Sequence, residues 1–211
     1  MEQETLPELS TIWNEAKAYI EQGNYDKAIE IYKYVLIRYG ENATAIEYAS
    51  AYLADVYLTL REPERTQRYI KEAIKLKSEK PDYHYISGFA YTLQREWTKA
   101  IKEFKICLKA KSDNAEYLRG LGWAEINAGD RLTGIQNLLK AIEVEPADAR
   151  ILLDLANAYL LDLDFETAKQ YAKKALHIDT GNDLARTVFD KICQFEKEYK
   201  RTKGKQSSNY R

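Results

Sequence analysis

A formal charge of −1, from 32 Lys plus Arg against 33 Asp plus Glu, gives this 211-residue chain no global attraction to nucleic acid or anionic lipid. Hydrophobic residues make up 45% and charged residues 31%, as in a soluble globular protein, while only 9 Gly and 4 Pro favour long helices over many short strands. The first ten residues hold three Glu and no apolar run, so no secretory signal is read. The most apolar stretch, Ile151 to Leu163, is interrupted by Asp154 and Asp162 and falls short of the about 20 apolar residues a membrane span needs. Cys107 and Cys193 lack CxxC spacing and read as reduced thiols, consistent with a cytoplasmic protein.

Residues 1–8 are expected to form a flexible N-terminus, after which the chain repeats itself. Small residues at Ala28, Thr66, Ala100, Gly134 and Ala168 lie 38, 34, 34 and 34 residues apart, and seven residues beyond each stand Val35, Ala73, Cys107, Ala141 and Ala175. Units are therefore expected at about 9–46, 47–80, 81–114, 115–148 and 149–181.

The first unit carries Ala16, Tyr19, Gly23, Tyr25, Ala28 and Tyr32, and Gln22-Gly23-Asn24 fits a tight turn between antiparallel helices. The second has Leu53, Ala54 and Tyr57, with Pro63 at a position where a first helical turn tolerates it. Four additional residues between the first two markers, expected near Gly40 to Thr44, add one helical turn or a longer loop. Gly88, Tyr91, Trp97 and Phe104 mark the third unit, and Leu121, Gly122, Gly129, Leu138 and Pro146 the fourth. In the fifth, Leu152, Leu155, Ala156 and Tyr159 form an i, i+3, i+4, i+7 stripe ahead of Phe165. A further amphipathic helix, 182–199, is expected to cap the final apolar face through Leu184, Val188, Ile192 and Phe195, leaving 200–211 as a basic, flexible tail.

This series resembles the tetratricopeptide-repeat family, whose helical hairpins carry Leu-Gly or Leu-Ala, Tyr, a later Ala, an aromatic, a second Ala and often Pro. The resemblance covers residues 9–181 and implies an all-α, right-handed superhelical solenoid of five hairpins plus the C-terminal cap. It also implies a non-catalytic adaptor or scaffold, with a concave groove that holds a protein or peptide.

In each first helix a second stripe, at repeat positions 2, 5, 9 and 12, lies about 130° from the packing stripe. The groove expected from it comprises Trp13, Lys17, Ile20, Tyr48, Tyr52, Asp55, Tyr85, Phe89, Arg119, Trp123, Ile126, Leu153, Asn157 and Leu160. Its aromatic and apolar character points to an apolar or amphipathic partner segment. The blander reading is that the same residues pack between neighbouring helices. Trp13, Lys17, Tyr52, Asp82 and Ile86 stand where some family members place the cationic clamp of Lys, Asn and Arg for acidic chaperone tails, and they supply almost none of its fork.

No catalytic residue, metal site or cofactor is expected. His84 and His177 share no ligand spacing, Cys107 and Cys193 have no identifiable base, and Gly120 with Gly122 falls inside a helix rather than in a phosphate loop. Asp162 and Asp164 read as capping residues. Homo-oligomerisation through exposed aromatics remains an alternative, and so does binding of RNA or an acidic surface by the tail cations Lys197, Lys200, Arg201, Lys203, Lys205 and Arg211.

Overall fold

The structure, a computed structural model, describes residues 9–208, with side chains through Lys203. The expected flexible segment 1–8 and the last three residues of the tail lie outside the described residues. Among those described, every regular element is a helix. The chain divides at Ala110–Lys111 into two compact units.

The first unit consists of three hairpins: α1 (Leu9–Glu21) with α2 (Tyr25–Arg38), α3 (Ala43–Thr59) with α4 (Pro63–Leu76), and α5 (Pro81–Leu93) with α6 (Trp97–Ala110). The second pairs α7 (Ala115–Ala128) with α8 (Arg131–Val144) and α9 (Ala149–Leu161) with α10 (Phe165–Ile178), and α11 (Asp183–Ser208) packs on α9 and α10. At 17 residues, α3 is longer than the 13-residue α1 and α5, so the four additional residues form a helical turn rather than a loop.

Each hairpin turn closes in the same way. The N–H of Asn24 donates to the Tyr19 carbonyl, and those of Glu62, Glu96, Asp130 and Asp164 donate to the carbonyls of Tyr57, Tyr91, Glu125 and Tyr159, at 2.8–3.0 Å. This six-residue closure requires a left-handed residue at its corner. Gly23 and Gly129 supply it without steric cost, whereas Arg61, Arg95 and Leu163 adopt φ of 58–60° despite their side chains. Asn24, Asn42, Asn114, Asp130 and Asp164 then cap the following helices by accepting from the backbone N–H three residues on, and Pro63 and Pro81 open α4 and α5.

The repeat markers form the interior. Ala28, Thr66, Ala100 and Ala168 are 0% exposed, as are Val35, Ala73, Cys107, Ala141 and Ala175. Larger side chains fill the space around them. Tyr32, Leu53 and Tyr57 belong to the α1–α3 core, while Leu152, Ala172, Val188 and Ile192 join α9, α10 and α11. Full burial of one such Leu or Ile is worth about 1.5–3 kcal/mol.

The terminal helix differs from expectation at its far end, continuing through Ser208 instead of giving way to a tail at residue 200. Local contacts account for its first added turn: Lys200 reaches Glu196 at 2.7 Å, Thr202 donates to the Glu198 carbonyl, and the Lys203 ammonium lies 5.0 Å from the centre of the Tyr199 ring. The side chains of Lys205 and Arg211 lie outside the described residues.

Candidate protein-interaction surface

In the first unit α3 presents Tyr48, Tyr52 and Asp55 at i, i+4 and i+7, which is one helix face. Tyr48 and Tyr52 are 41% and 44% exposed and neighbour each other on a helix that buries nine residues. With Asp55 and with Tyr85 of α5 they line a pocket of about 510 Å³ whose remaining wall is Ala51, Lys80, Asp82, Tyr83 and Ile86. Lys80 and Tyr83 were not expected from the repeat stripe. Asp82 and Ile86, which lack the clamp chemistry, line the same pocket.

Buried chemistry orders this wall. Glu47, only 4% exposed, accepts from Lys80 Nζ and, at 2.8 Å, from the Tyr83 hydroxyl. Burial opposes ionisation of Glu47, but the two hydrogen bonds hold its carboxyl below the usual glutamate range. The same bond to Glu47 holds Lys80 above the usual lysine range, so its charge is already matched. The Lys80 ammonium also stands 4.8 Å from the centre of the Tyr48 ring. Asp55 opens to solvent at its outer edge, yet loss of hydration among its neighbours raises its carboxyl above the usual aspartate range.

The other expected residues of this unit flank the pocket. Tyr52 stacks on buried Tyr32 with ring centres 5.3 Å apart, and half-buried Trp13 lies 6.1 Å from Tyr52. Half-buried Ile20 packs against the α1–α3 core, and exposed Lys17 stands 3.9 Å from Glu21. Phe89 lies 4.7 Å from Tyr85 and edge-on to buried Phe104 at 5.3 Å, so it supports the wall as much as it meets solvent.

In the second unit much of the expected stripe is spent on packing. Ile126 and Leu153 are each 5% exposed: Ile126 occupies the crossing of α7 and α8, and Leu153 belongs to the core that α11 completes. Arg119 donates to Glu116 at 2.8 Å and to Asp154 at 3.1 Å, closing its guanidinium inside an ion network. Trp123, Asn157 and Leu160 are half-buried, with Leu160 against the α9–α11 core.

His84 and Cys107, set aside as sites, have structural partners. His84 Nδ1 lies 2.6 Å from Glu103 and its Nε2 lies 2.7 Å from the Ser78 carbonyl. Burial pushes the Cys107 thiol up to about 12, far from thiolate chemistry. Among the described residues no cluster of three or more His, Cys, Asp or Glu is arranged to hold a metal ion, and no helix is long and apolar enough to cross a membrane.

Profiles of the tetratricopeptide repeat match residues 119–183 and again residues 9–36, in the two units separately. The chain is a tetratricopeptide-repeat protein. Solved structures with this fold include a thermophilic tetratricopeptide protein of Thermus thermophilus, with 16% identity, a TM-score of 0.71, and 88% of this chain and 98% of that one covered. MamA of Desulfovibrio magneticus RS-1 shares 16% identity over 82% of this chain and 96% of that one, with a TM-score of 0.70. YrrB, described as a tetratricopeptide protein with an unusual peptide-binding site, shares 18% identity over 83% and 89% of the two chains, with a TM-score of 0.63. No curated protein sequence matches the chain. At these identities the tetratricopeptide structures establish the fold alone.

Proposed function

We propose that this tetratricopeptide-repeat protein is a non-catalytic adaptor or assembly scaffold that holds an amphipathic peptide or helix of a protein partner on the α3–α5 face of its first unit. The observation that carries this reading is the exposure of Tyr48 and Tyr52 beside a concave pocket. Large rings left in contact with water gain when a partner desolvates them, and such aromatics dominate protein interfaces. The peptide-binding description of YrrB lends the fold a precedent.

The experiment compares affinity capture by the wild-type chain, a Tyr52→Ala, Tyr85→Ala variant and a Trp123→Ala variant, with circular dichroism confirming the fold. A partner lost from the first variant, with affinity down at least tenfold, and kept by the second supports the reading. Equal capture by all three sinks it.

Self-association has a specific observation in its favour. Leu184 and Phe195 on α11 are 64% and 57% exposed, and eleven residues, about 1,100° of helix, bring them back to one face. Sedimentation of the wild type against a Leu184→Glu, Phe195→Glu variant tests it: a monomeric wild type excludes this second reading.

A further inference from the structure

We propose that the pocket between α3 and α5 receives an Arg or Lys side chain of the partner, with Asp55 as its counter-ion and Tyr48, Tyr52 and Tyr85 as its aromatic walls. This rests on the protein-interaction reading and specifies what that surface selects.

Charge complementarity supplies the argument. Among the described residues the Asp55 carboxylate has neither a salt bridge nor a hydrogen-bond donor assigned to it, whereas Lys80, the cation of the lining, is matched by Glu47. A purely apolar occupant would strip water from Asp55 and return nothing, a cost of several kcal/mol for a charge left unpaired. An acidic occupant would add repulsion. A basic side chain satisfies Asp55 and lays its methylene stem along the tyrosines.

The walls suit a cation as well. Lys80 already places its ammonium 4.8 Å from the centre of the Tyr48 ring and 5.0 Å from that of Tyr83, so the chain uses these rings in this way itself. Tyr52, held by stacking on Tyr32, and Tyr85, against Phe89, are positioned before any partner arrives.

The test pans a phage-displayed library of random dodecapeptides against the full chain. The expected peptides share one Arg or Lys at a fixed position. Replacing that residue with norleucine, or Asp55→Asn in the protein, weakens binding at least tenfold, and Asp55→Glu recovers part of the loss. Asp55→Asn preserves shape, and an unchanged urea midpoint verifies its fold; Tyr85→Leu provides a second variant that removes a wall without touching the charge. Peptides lacking a basic consensus, peptides with an acidic one drawn by Lys80, or a basic consensus indifferent to Asp55→Asn overturn this inference and leave peptide binding standing. A library with no enriched peptide overturns both.

Discussion

Gly122 of α7 and Gly134 of α8 meet backbone to backbone: a Cβ built on Gly134 would fall 2.6 Å from the carbonyl oxygen of Gly122, and one on Gly122 would fall 2.7 Å from that of Gly134. The obstacle on both sides is main chain, which cannot rotate away as a side-chain tip can. Gly134→Ala gains about 1 kcal/mol of helix propensity but forces the helices apart, a strain of about 1–3 kcal/mol or more. Denaturation by urea is expected to show no gain and a net loss of up to about 2 kcal/mol.

The left-handed corners predict the opposite sign at Arg61. It holds φ of 59° in an exposed turn where Gly23 and Gly129 serve the same role in other hairpins. Arg61→Gly relieves the Cβ strain and loses some stability through a freer unfolded chain. A gain of about 0.5–1 kcal/mol in urea is the expected result, with a comparable loss for Gly129→Ala.

Glu47 sets a pH dependence. Its carboxyl is held below the usual range, so the folded state binds that proton less tightly than the unfolded chain does. The stabilisation is present above the ordinary glutamate value near 4.5 and is lost as pH falls through the lowered folded value. Glu47→Gln is expected to cost about 1–2 kcal/mol at pH 7. The gap between variant and wild type closes on acidification; a gap constant from pH 7 to 3 would exclude the mechanism.

The two thiols differ in access. Cys107 is fully buried, donates to the Pro81 carbonyl and is raised to about 12, while Cys193 is partly exposed on α11. Titration of the native chain with a thiol-specific disulfide reagent at pH 8 is expected to modify one thiol per chain quickly, at Cys193. Cys107 reacts only on unfolding.

Much of the architecture was legible because its causes are local. Ala28, Thr66, Ala100, Gly134 and Ala168 are small because helices cross there, and each is buried. The capping readings of Asp162 and Asp164 met different outcomes: Asp164 accepts from the Thr167 N–H, while Asp162 pairs with Arg131 at 2.9 Å. The exposure of the second stripe was less legible. A period of repeat identifies which residues face one way, but exposure depends on how closely other helices approach. At Gly134 the approach is so tight that Ile126 is enclosed, and at Leu153 α11 completes the cover.

The repeat spacing, turn residues and N-terminal caps of the hairpins follow from the sequence alone, since each acts within a few residues through backbone geometry and hydrogen bonding. Only the tertiary structure decided which part of the aromatic stripe is open. It brought Lys80 across 33 residues of sequence to Glu47, leaving that cation matched and Asp55 facing the pocket without one. Such a charge balance is a property of side chains made neighbours by packing, and no periodicity along the chain encodes it.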